Sequence, residues 1–97
     1  MSDDFFAPPA FKPDEALVTL KRQLRDLKPL AERGTRFEWK GKPVVDLASD
    51  AASITARIAR RPLSAPDWDT QVLKSGADVR KFTDEVRKRL ARWADDE

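Results

Sequence analysis

Two stretches of the chain repeat their apolar residues with a helical period, and the stretch between them alternates. Leu17, Leu20, Leu24 and Leu27 recur at spacings of three and four and therefore share one helix face. Pro13 suits the first helical position, where its missing N–H costs nothing, and Asp14 and Glu15 fall in the positive first turn. Pro29 has no N–H to offer the carbonyl of Arg25, so the pattern predicts a helix over about 13–28 with 29–33 as a bent last turn closed by Gly34.

Near the other end, Val79, Phe82, Val86, Leu90 and Trp93 form a second stripe. Ser75 stands where a cap belongs, with Asp78 three positions on. Asp84 with Lys88, and Glu85 with Arg89, place acid before base at i, i+4.

Between the helices the period changes to two. Phe37 and Trp39 alternate with Arg36, Glu38 and Lys40, Gly41 supplies a turn, and the run Val44–Leu47 resumes after Pro43, which predicts a hairpin. For 49–61, Ser49-Asp50-Ala51-Ala52 could cap a helix, but β-branched Ile54, Thr55 and Ile58 favour a strand. Residues 61–67, with Pro62 and Pro66, read as a loop, and 70–74 as a last strand. The expected fold is α+β: an N-terminal helix, an antiparallel β-meander of three to four strands, and a C-terminal helix. Both helices would lie on one sheet face in a two-layer sandwich. Residues 1–12, with Phe5, Phe6 and Phe11 set among prolines, read as a tail, 13–94 as a single domain, and 95–97 as an acidic end.

Composition narrows the chemistry. The 97 residues include no His, no Cys, no Tyr and no Asn. No imidazole base, thiolate nucleophile or His/Cys metal ligand is available. The remaining acids, bases and hydroxyls show no active-site spacing, so we expect no enzyme, no cofactor and no disulfide. Asp46, Asp50, Asp67 and Asp69 could offer oxygen ligands, but they lack the alternating acids and central glycine of a calcium loop, and no metal site is expected. No apolar run reaches the ~20 residues of a membrane span. Ser2, Asp3 and Asp4 carry the wrong charge for a signal peptide, so the default is a soluble, cytoplasmic protein. Abundant Ala and Arg, with Asn and Tyr absent, point to the coding bias of a GC-rich bacterial genome.

The net charge is only +2, but its distribution is uneven. Eight basic residues lie between Lys21 and Lys42 against Asp26, Glu32 and Glu38, while both ends are acidic. Three groups could meet a partner. In the hairpin, Arg36, Trp39, Lys40 and Lys42 combine cations with an aromatic, a pattern that suits nucleic acid. The same alternation turns Phe37 and Trp39 into the core, and that orientation is favoured. Arg57, Arg60 and Arg61 could hold phosphate or carboxylate, although no glycine-rich cradle accompanies them. Phe5 and Phe6 could dock on another protein from a stiff tail. The interleaved acids of the last helix mark Arg80, Lys81, Arg87, Lys88, Arg89 and Arg92 as a solvated face. The expected function is a non-enzymatic binding module acting by protein–protein contact, including self-association, through a sheet edge or the tail. Nucleic-acid binding by the basic hairpin and sheet face is the alternative.

Overall fold

The computed structural model describes residues 11–27 and 30–96. Its order is α1 (Pro13–Arg25), β1 (Ala31–Arg33), β2 (Arg36–Trp39), β3 (Lys42–Ser49), β4 (Ile54–Ala59), β5 (Trp68–Leu73) and α2 (Gly76–Asp95). The five strands form one antiparallel sheet whose spatial order equals their chain order. The chain is therefore α+β, with five strands rather than three to four.

The additional strand is β1. Residues expected as a bent last turn instead pair with β2, Ala31 opposite Glu38 and Arg33 opposite Arg36. α1 stops at Arg25, its cap residue Asp26 donating back to the carbonyls of Arg22 and Leu24. Pro29 could not have continued the ladder of bonds. Gly34 is not a helix terminator but half of the two-residue turn between β1 and β2. Its φ of +64° is what the first central position of a type II′ turn requires. The β2–β3 turn takes positive φ at both central residues, Lys40 and Gly41, as a type I′ turn does.

Register parity sorts the side chains. Phe37 faces Val45, Val45 faces Ile58, Leu47 faces Ala56, and Ile54 faces both Ser49 and Leu73. The apolar members of this set are buried and define the core face. The second face carries Arg36, Glu38, Asp46, Ala48, Thr55, Arg57, Thr70 and Val72, which are exposed or half-exposed. One irregularity disturbs the alternation. Phe37 faces Val45 while Glu38 faces Pro43, which leaves Val44 as the extra residue of a bulge, and both valines are buried.

Leu20 and Leu24 of α1, with Phe82 and Val86 of α2, join the strand residues in one cluster. Phe11, the last aromatic residue of the expected tail, also packs against it and is half-buried. α1 contacts β3, α2 contacts β5, and the helices touch each other. There the buried Thr83 hydroxyl bonds Gln23 Oε1 at 3.1 Å and the Val79 carbonyl at 3.0 Å, so it is satisfied in the interior. The cap of α2 forms as expected: Ser75 Oγ accepts from the Asp78 N–H at 3.1 Å. Of the two expected helix ion pairs, Glu85–Arg89 forms at 2.7 Å, whereas Asp84 bonds Arg87 at 2.8 Å rather than Lys88. No described helix is long and apolar enough to cross a membrane.

Candidate interaction site

Three parts of the surface combine chemistry with access. The first is a groove of about 570 Å³ at one end of the sheet. Three separate segments build it: the β2–β3 turn supplies Trp39 and Lys42, the loop after β4 supplies Arg60, Arg61 and Leu63, and the end of α2 supplies Arg92, Trp93 and Asp96. Four of the nine residues singled out in the sequence thus meet at one place. Trp39 does not stand its ring out into the groove. It is 5% exposed and stacks at a tilt on Trp93, ring centres 5.9 Å apart, so the two indoles form a floor and not a platform for bases. The Lys40 ammonium lies 4.8 Å from the same ring.

Arg60 is held in place from below. Its Nε donates to Asp69 Oδ1 at 2.8 Å, and Arg89 reaches the other carboxylate oxygen at 2.9 Å. The hydrogen bond from Arg60, followed by that from Arg89, keeps the Asp69 carboxyl below the usual carboxylate range, and Asp69 in turn raises Arg60. Arg89 is tied further to Glu85 and to the Ala59 carbonyl, so this arginine of α2 is a structural tie.

The second part is the sheet face opposite the core. Asp46 sits between Arg57 at 3.1 Å and Arg36 at 3.8 Å, and Arg33 meets Glu38 at 3.5 Å. The basic excess read between Lys21 and Lys42 is therefore dispersed. Arg25 turns to Glu32 at 2.6 Å on the core side, while Arg33 and Arg36 meet acids on the second face. Trp68, half-buried at the start of β5, lies with its ring centre 6.0 Å from the Arg57 guanidinium. The sequence reading missed Trp68 by starting the last strand at Thr70. A β-favouring aromatic directly after Pro66 and Asp67 was the available signal.

The third part is the edge of the sheet at β5. The Arg60 N–H donates to the Asp67 carbonyl at 2.9 Å, one step beyond the Ala59–Trp68 pair. Antiparallel ladders alternate, so Ile58–Asp69, Ala56–Gln71 and Ile54–Leu73 are the pairs that exchange bonds. Trp68, Thr70 and Val72 consequently aim their N–H and C=O groups away from β4. Among the described residues no other strand pairs with them. Thr70, Gln71 and Val72 are exposed, Val72 by 50%.

The acidic set does not assemble. Asp46 and Asp69 are taken by arginines, and Asp50 accepts the N–H groups of Ala52 and Ser53 at 2.8 Å each, bonds that hold its carboxyl below the usual range. Among the described residues no group of three or more acids could hold a metal ion. Phe5 and Phe6 lie outside the described residues. No protein family, curated protein or solved structure matches this chain.

Proposed function

We propose that this protein is a small, non-enzymatic binding module of the cytoplasm that acts through protein–protein contact. In this reading the fold is a two-layer sandwich whose helices cover one sheet face, leaving the other face and the β5 edge to a partner. The observation that carries it is the row of outward backbone groups on Trp68, Thr70 and Val72, beside side chains that are exposed or half-exposed. Such an edge adds a strand at little cost: backbone bonds supply affinity, and alternate side chains supply selectivity. Thr70→Pro tests it. Proline removes the outward N–H without touching a bond to β4. Tagged wild-type chain should retain proteins from a lysate that the Thr70→Pro chain loses. Identical captures by the two would refute the edge.

One observation favours a second reading, nucleic-acid binding. Lys42, Arg60, Arg61 and Arg92 line the groove over the tryptophan pair against the single acid Asp96. Together with Arg36 and Arg57 on the second face, they could track a phosphate backbone without base stacking. Labelled oligonucleotides titrated at several salt concentrations should then bind with a log–log salt slope that falls by about one for Arg61→Ala. No binding at low salt removes this reading.

A further inference from the structure

We propose that the partner at the β5 edge is a second copy of this chain, paired antiparallel about a two-fold axis through Thr70; the inference rests on the edge reading above. The two edges of the sheet differ in a way that points here. β1 has three residues, two of them charged, a short and charged edge of the kind that resists pairing. β5 has six residues, no proline and no lysine, and its one charge, Asp69, is already neutralised by Arg60 and Arg89 on the core side. Among the described residues no strand pairs with this edge, which leaves it open to a strand of matching pattern, and a second copy of the chain supplies one.

Self-pairing must satisfy a two-fold axis, so every contact occurs twice and the sequence must complement its own reversal. Only registers that set Trp68, Thr70 and Val72 against one another match outward groups to outward groups. Centred on Thr70, the pairing puts Thr70 against Thr70 and Trp68 against Val72 twice. All three pairs exchange both of their backbone bonds. An aromatic against a β-branched residue and a threonine against a threonine are favourable cross-strand pairs. On the core side Asp69 meets Gln71, an acceptor facing a donor, and no charge meets its own copy.

The neighbouring registers are worse. Centred on Gln71, Trp68 faces Lys74, whose N–H is already given to Asp78 Oδ2 at 3.0 Å. Centred on Asp69, Val72 faces Pro66, which has no N–H, and Asp69 faces its own copy. The assembly centred on Thr70 is one continuous ten-stranded sheet, two of the five-stranded sheets joined, within the usual span of an open twisted sheet. It brings the Arg57–Trp68 pairs of both copies to one surface.

The test uses the purified full-length chain and the absence of native cysteine. Sedimentation of wild type should give twice the 11.0 kDa chain mass, with Thr70→Pro returning to 11.0 kDa and melting normally. Thr70→Cys should oxidise to a disulfide-linked dimer, because paired Cα atoms stand ~5.5 Å apart, inside the disulfide range. Gln71→Cys should not, because the two copies of residue 71 are offset by two positions along the strand, about 6.6 Å, beyond that range once the strand spacing is added. A dimer crosslinked by Gln71→Cys and not by Thr70→Cys overturns the register. A strict monomer at the highest soluble concentration overturns the second copy. If that monomer still loses lysate partners on Thr70→Pro, the edge reading survives alone; if its captures are unchanged, both fall together.

Discussion

Truncating Phe82 to alanine tests whether α2 meets the sheet as described. Its ring is wholly buried, and α1 and the strands contribute the rest of the same cluster. Removing a fully buried ring forfeits about 1.5–3 kcal/mol of transfer energy. A residual void adds roughly 24 cal/mol per Å³, so one of about 60 Å³ adds about 1.5 kcal/mol, and the sum falls at ~3–5 kcal/mol. A domain of this length has a total stability of about 5–15 kcal/mol, and each kcal/mol moves its melting point by about 4–8 °C. Phe82→Ala should therefore lower Tm by at least about 12 °C. Val18→Ala, on the exposed side of α1 at 59% exposure, should stay within about 0.5 kcal/mol of wild type. Urea unfolding followed by tryptophan fluorescence measures both, since Trp39 and Trp93 are buried in the fold. An unchanged midpoint for Phe82→Ala, at an unchanged slope, would refute the placement of α2. Equal losses for the two variants would refute the argument from burial.

Two further predictions follow from local conformation and charge. Gly76→Ala should stabilise by about 0.5–1 kcal/mol, because its added Cβ meets nothing within 4 Å and the site opens a helix, whereas Gly41→Ala, at φ +80°, should destabilise by about 1–2 kcal/mol; thermal melts of the pair check the contrast. Glu32, Asp50 and Asp69 all titrate below their ordinary values in the fold, Glu32 and Asp69 chiefly through hydrogen bonds from arginines and Asp50 through backbone N–H groups. Their stabilisation is complete above the unfolded pKa of about 4 and is lost as pH falls through the lower folded values. Tm should hold steady from pH 7 to about 5 and drop below about 4, and Asp50→Asn should flatten part of that drop; a fall between pH 7 and 5.5 would contradict it, since the chain has no His to titrate there.

The helices were legible because burial imposes a period. All five stripe residues of α2, from Val79 to Trp93, are in the core, and Ser75 caps it as its position implied. β2, β3 and β4 were legible for the same reason at period two. β1 was not. Its stability comes from backbone pairing with β2 and from the Gly34 turn, and Ala31-Glu32-Arg33 shows no apolar alternation. The groove was half legible. Lys42, Arg60 and Arg61 stood out while Arg92 read as part of a solvated helix face, and the assembly depends on Trp39 finding Trp93 from the far end of the chain, a contact no local period encodes. The β5 edge needed the register itself, because which amides point outward depends on the pairing with β4.

A sheet whose spatial order is its chain order grows one hairpin at a time during synthesis. Each strand leaves the ribosome beside the partner it needs, and each closure spans a short connection, at most the eight residues between Ala59 and Trp68. Cover for the apolar face does not arrive in the same way. Until Gly76–Asp95 has emerged, the cluster that holds Phe37, Leu47, Ile54 and Ile58 lacks its α2 members, Phe82 and Val86 among them. The last step then brings Thr83 to Gln23 across sixty residues, a far longer closure than any of the hairpins and one with a larger entropy cost. A nascent chain halted before Gly76 would carry a formed sheet whose apolar side chains are only partly covered, adhesive to chaperones and to its neighbours, and release of the next twenty residues would end that exposure.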